Sequence, residues 1–136
     1  MKGKIFSPDE ATRMVPLVAR IAEDIVATYA DVNRALQAFQ LEETRAKGDA
    51  SRDAILAQRN TEVGQALDRF QKLIEEIEGL GGTLRDYEKG SIDFYGEVDG
   101  QIVYLCWQRG EDHISHWHSL EEGFSKRRPL PAPATA

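Results

Sequence analysis

Apolar residues recur along the first half of the chain in alternating steps of three and four. Met14, Val18, Ile21, Ile25, Val32, Leu36 and Phe39, with Thr28 in line, lay a stripe along one helix face. Upstream, Ser7-Pro8-Asp9-Glu10 reads as a helix start: Ser7 can cap, Pro8 suits the first turn, and Glu10 can reach back to the cap. Helix 1 is therefore predicted over 8–47, with a kink or break near Pro16, where a helix-interior proline removes a hydrogen bond and crowds the preceding turn. Gly48-Asp49 ends this element and caps the next. A second stripe, Ile55, Arg59, Val63, Ala66, Phe70, Leu73 and Ile77, predicts helix 2 over 50–78, closed by Gly79 and Gly81-Gly82. So short a link makes the pair an antiparallel hairpin, and both stripes are read as core packing.

After Gly82 the period changes to two. Thr83-Leu84-Arg85 suggests an edge strand, and Ser91 to Glu97, Gln101 to Gln108 and Asp112 to His118 are strands rich in aromatic and β-branched residues. The expected fold is α+β: a long antiparallel helical hairpin followed by a small three- to four-stranded antiparallel β-meander, 83–118, packed on it. A single domain covers 1–136, and the proline-alternating 129–136 is expected to be a flexible tail.

The turns set a register. Asp99-Gly100 suits a two-residue type I′ hairpin and puts Val98 opposite Gln101, Phe94 opposite Leu105 and Ile92 opposite Trp107. Read as a type II′ turn, Arg109-Gly110-Glu111-Asp112 puts Trp107 opposite Ile114, Leu105 opposite His116 and Val103 opposite His118. One face then gathers Ile92, Phe94, Val103, Leu105, Trp107 and Ile114 against the helices, with His116 and His118 at its end. The other face carries an aromatic row, Tyr95, Tyr104 and Trp117, beside Asp93, Cys106 and Ser115, with Gln108 and His113 beyond. Three adjacent aromatics on an outer face call for cover by the C-terminal segment, another subunit or a ligand.

Composition narrows the function. The chain has 136 residues, 41% of them hydrophobic, enough for one core. A net charge of −6 disfavours nucleic acid. No stretch approaches the roughly 18 apolar residues of a membrane span, and the N-terminus lacks a signal-peptide pattern, so a cytoplasmic protein with no membrane partner is expected. Cys106 is the only cysteine, which excludes an internal disulfide. His116 and His118, at i and i+2 on a strand, are the candidates weighed for a metal. In this register they lack a third ligand, because Cys106, Asp93 and His113 face away, and a one-residue slip would be needed to bring Cys106 opposite His116. No metal or other cofactor is therefore expected, and Cys106 is read as a small packed residue and not a nucleophile.

Several segments carry a family likeness: Phe6-Ser7-Pro8-Asp9-Glu10-Ala11 with Val15-Pro16, Gly90-Ser91-Ile92-Asp93-Phe94, Gly100 to Trp107, Gly110-Glu111, Trp117-His118, Gly123-Phe124 and Arg127-Arg128-Pro129-Leu130. In these the chain resembles a bacterial family known as domain of unknown function 2203, from Ile5 to Leu130. The resemblance implies no activity, substrate or cofactor. It implies that a site shared by the family draws on Asp93, Glu111, His118 and Arg127, with Trp107 and Trp117 as aromatic neighbours, and leaves His116 and His113 outside it.

With helix 1 counted past the interruption near Pro16, each helix has about 28 to 30 residues and spans roughly 40 to 45 Å, against about 20 Å for a short strand, so the hairpin outruns the sheet. Its far half, around Val32 to Ile55, includes Leu36, Phe39, Leu41 and Ile55 with no sheet to cover them. A homodimer that joins two hairpins through helices 1 and 2 resolves this. The leading expectation is a non-enzymatic interaction or ligand-binding protein that dimerises through its helices; the alternative is a metal-dependent hydrolase using His116 and His118 with nearby carboxylates.

Overall fold

The structure, a computed structural model, describes residues 4–130. Helix α1 spans Pro8–Ala46 and α2 spans Asp53–Gly79, linked through a 3-10 turn over Ala50–Arg52. The start of α1 is a complete capping box: the Glu10 N–H donates to Ser7 Oγ at 3.1 Å, and the Ser7 N–H donates to the Glu10 carboxylate at 2.8 Å. At the far tip Gly48 takes φ 75°, and the Ser51 N–H donates to Asp49 Oδ1 at 3.0 Å. Arg52 then grips the Glu42 carboxylate with Nε at 2.5 Å and Nη2 at 3.0 Å, tying the two helix ends together.

Of the kink or break expected near Pro16, the break does not occur: α1 is continuous through it. Val15 and Val18 on either side are both buried in the core, so packing holds the helix across the hydrogen bond that proline omits. Thr12, one turn earlier, is also anchored, its hydroxyl accepting from the Ile114 N–H at 3.1 Å.

The sheet has five strands, where three or four were expected: β1 Gly82–Asp86, β2 Ser91–Val98, β3 Gln101–Gln108, β4 His116–His118 and β5 Arg128–Pro129, antiparallel and in sequence order. The fifth reaches into the expected tail only at Pro129. Leu130 packs against the core and its N–H donates to the Ser115 carbonyl at 2.8 Å, which draws Arg128-Pro129 alongside β4, and a proline is tolerated there because the strand is an edge. The remainder of the expected tail, 131–136, is outside the described residues. At the other end of the chain Phe6 bridges to Gly96 in parallel and meets Phe94 edge to face at 5.2 Å.

The β2–β3 hairpin has the register expected of Asp99-Gly100, with φ 52° and 77° at the two turn residues, Ile92 opposite Trp107 and Phe94 opposite Leu105. The β3–β4 pairing differs by one residue: Tyr104 faces His118, Leu105 faces Trp117 and Cys106 faces His116. The cause is the turn. The Glu111 N–H donates to the Gln108 carbonyl at 3.0 Å, so Gly110, at φ 102°, is the third residue of the turn and not the second. Glu111 then occupies the groups that a tight hairpin would pair: its Oε1 accepts from the Gln108 N–H, and its carbonyl accepts from the Trp107 indole, both at 2.8 Å. Residues 112–115 form an irregular connection before β4 begins.

Ile92, Phe94, Val103, Leu105, Trp107 and Ile114 are all buried in one core with α1 and α2. That core draws on α1 only as far as Ile25 and on α2 only from Phe70 onward. Tyr87, in the β1–β2 turn, packs on Tyr29 and Phe70 at ring separations of 5.4 and 5.6 Å and marks where the sheet ends along the hairpin.

Candidate functional site

The one-residue shift in β4 exchanges its two faces. Trp117, expected in the outer aromatic row, turns toward the helices and packs against the core, with the Arg128 guanidinium 5.1 Å from its ring centroid. His118 takes its place on the outer face. The row is thus Tyr95, Tyr104 and His118, with ring centroids 5.1 Å apart at the first step and 5.2 Å at the second. The Arg85 guanidinium covers the Tyr104 ring at 4.7 Å.

Beside this row, on the same face, lies a closed polar cluster. Asp93 from β2, Cys106 from β3 and His118 from β4 are 3%, 0% and 3% exposed, so solvent screens none of them. A charged residue in the apolar run Ser91-Ile92-Asp93-Phe94 needs partners. Asp93 Oδ2 accepts from Arg85 Nε at 2.9 Å and lies 3.2 Å from His118 Nε2. Its other oxygen, Oδ1, is buried and has no hydrogen-bond partner among the described residues. His118 Nδ1 lies 2.9 Å from the Ser119 carbonyl oxygen. A carbonyl only accepts, so the Nδ1 proton is fixed there and Nε2 is directed at Asp93.

Burial, then the adjacent Asp93 carboxylate, push the Cys106 thiol far above its ordinary range; Arg127 opposes this and Glu111 adds to it. The trio is not arranged as a nucleophilic triad. Both imidazole nitrogens of His118 are engaged elsewhere, and the neighbour of the thiol is the carboxylate and not the base. The same atoms do suit a cation, since one ligand atom from each of Asp93, Cys106 and His118 lies within 4.8 Å of the other two.

The four polar residues singled out in the sequence therefore divide into two pairs. Asp93 and His118 meet in the buried cluster, while Glu111 and Arg127 form a half-buried ion pair at 3.3 Å, near enough for both charges to act on Cys106. His116, the expected companion of His118 for a metal, lies outside the cluster with its Nδ1 2.7 Å from Ser115 Oγ. His113 is exposed beside Asp112. Two members, Arg85 and Cys106, were not assigned to a site by sequence reasoning. The signal for Arg85 was the unpaired carboxylate of Asp93; the signal for Cys106 was its position directly opposite Asp93 once the Asp99-Gly100 register is applied.

Residues 4–130 match a family described as an uncharacterized conserved protein, DUF2203. No curated protein and no solved structure matches the chain.

Proposed function

We propose, from the premise that this chain belongs to the DUF2203 family, that it is a non-enzymatic interaction protein working as a homodimer joined through α1 and α2. The observation that carries this is the fate of the inner stripe of α1. Val18, Ile25 and Val32 recur every seven residues and are buried, but four residues on, Leu36 is 37% exposed, and across the hairpin Ile55 is 40% exposed. Past Tyr29 and before Phe70, no strand among the described residues joins the helices in the core. A two-helix hairpin alone buries too little apolar surface to hold such a length, whereas two of them side by side make a four-helix bundle. A second copy is the natural occupant, because a two-fold axis brings the same half-covered stripe to itself.

Closure of the Asp93–Cys106–His118 cluster supports the non-enzymatic reading over a hydrolase built on His116 and His118, since a substrate has no path to groups at most 3% exposed. The buried free thiol of Cys106 is in keeping with a reducing cytoplasm. Among the described residues no helix is long and apolar enough to cross a membrane. Sedimentation at micromolar concentration is expected to give twice the chain mass, and Leu36→Glu with Ile55→Glu to shift it toward the monomer. A wild-type monomer at that concentration overturns the proposal.

A further inference from the structure

We propose that Asp93, Cys106 and His118 bind one divalent transition-metal ion of the zinc class, through a carboxylate oxygen of Asp93, the Cys106 thiolate and His118 Nε2. The three side chains rise from neighbouring strands on one sheet face, so the backbone ladder holds their spacing. Metal–ligand bonds of about 2.0 to 2.3 Å put tetrahedral ligand atoms roughly 3.3 to 3.8 Å apart. The separations here, within 4.8 Å, close to that by side-chain rotations on the order of 1 Å.

Two independent features support a ligand in this cluster. Asp93 Oδ1 is a buried carboxylate oxygen with no hydrogen-bond partner among the described residues, an arrangement that is costly unless a proton or cation meets it. His118 has its Nδ1 proton committed to the Ser119 carbonyl, so in the neutral ring the Nε2 lone pair faces a carboxylate 3.2 Å away. Lone pair against anion is repulsive, and either a second proton on the ring or a metal ion relieves it.

The outer partners that such a site needs are already in place. Ser119 fixes the imidazole tautomer, and Arg85 holds the second oxygen of the carboxylate. Thiolate and carboxylate together neutralise a divalent ion, so the occupied cluster carries no net charge of its own in an environment that disfavours charge. Binding sends the thiol proton to solvent, so affinity falls as pH falls. Imidazole with thiolate selects zinc or cobalt over magnesium or calcium. Such an ion would staple β2, β3 and β4 and is independent of how the helices assemble.

The test uses the full chain, freed of metal by chelation and titrated with cobalt(II) alone. One equivalent is expected to give a thiolate-to-cobalt charge-transfer band with the intense d–d bands of a four-coordinate ion, and zinc should bleach both. Cys106→Ser should remove the charge-transfer band, His118→Gln should weaken binding about tenfold or more, and His113→Gln, at the exposed histidine, should change neither. Circular dichroism of the metal-free variants checks their folding. X-ray absorption on the wild-type cobalt protein, which needs no variant, should find one sulfur ligand. Absence of the charge-transfer band in the wild type, a shell of nitrogen and oxygen only, or loss of binding in His113→Gln overturns the proposal.

Discussion

Gly96 offers a severe test of the register that puts Asp93 and Cys106 on one face. A Cβ at this position would lie 2.4 Å from both Cγ and Cδ1 of Leu105. Ordinary carbon contacts are about 3.5 to 4.0 Å, so Leu105 would have to retreat by more than about 1 Å. It has nowhere to go, being 0% exposed in the core. Gly96 is not at positive φ, so alanine there meets no backbone penalty and the cost is purely steric. Overpacking of this kind costs about 2 to 3 kcal/mol, which for a domain of this size lowers Tm by roughly 6 to 15 °C. Thermal and urea unfolding of Gly96→Ala measure the loss. Leu105→Ala alone should cost about 2 to 5 kcal/mol through its cavity, but in the Gly96→Ala background the new methyl occupies part of that space. The double variant should therefore be more stable than the sum of the singles implies, by about 1 kcal/mol or more. A Gly96→Ala melt within about 2 °C of wild type, or strict additivity in the pair, would refute the β2–β3 alignment and with it the placement of the cluster.

Three further outcomes follow from the structure. Glu10→Gln should lower stability in urea unfolding near neutral pH; because the Ser7 backbone N–H first, and its side chain second, hold the Glu10 carboxyl below its ordinary value, that contribution is present above the unfolded Glu range and is lost as pH falls through the lowered folded value, so the gap to wild type should narrow in acid, and a gap that widens sinks the reasoning. Cys106, fully buried with its thiol pushed up by burial and Asp93, should resist a maleimide in the native chain and react only at the rate of unfolding, as mass spectrometry over a urea series will show; rapid native labelling contradicts the closed site. Asp93→Ala leaves Arg85 and His118 without their shared carboxylate and should cost about 3 kcal/mol in chelator-containing buffer, where a loss below about 1 kcal/mol would mean the cluster is not held as described.

What could be read from the sequence was what is decided locally. The capping box at Ser7, the glycine stop at Gly48 and the stripe through Val18, Ile25 and Val32 each depend on residues within a turn or two of one another. So does the Asp99-Gly100 turn, whose preferred geometry aligns eight residues of β2 with eight of β3 without reference to the rest of the chain. Pro16 shows the limit in a helix: its local preference is for a break, and what prevails is burial of Val15 and Val18 against strands far away in sequence.

The site fell on the other side of that limit because it depends on parity. Strand side chains alternate, so a single residue gained or lost in a turn decides whether His118 faces the helices or Cys106. Gly110 is compatible with either the second or the third place of a turn, and what chooses is Glu111, through its bonds to the Gln108 N–H and the Trp107 indole. Those contacts exist only once Trp107 is seated in the core, so no inspection of 109–112 in isolation reveals them. Asp93 supplied the missing constraint. A carboxylate fixed in the middle of a buried strand by the first hairpin requires a cationic or hydrogen-bonding neighbour, and of the two registers open to β4 only the shifted one places His118 on its face of the sheet. Satisfaction of one buried charge thus selects the register that turn preference misjudged, and it is the same charge, through its unpartnered Oδ1, that points to a metal ion between the strands.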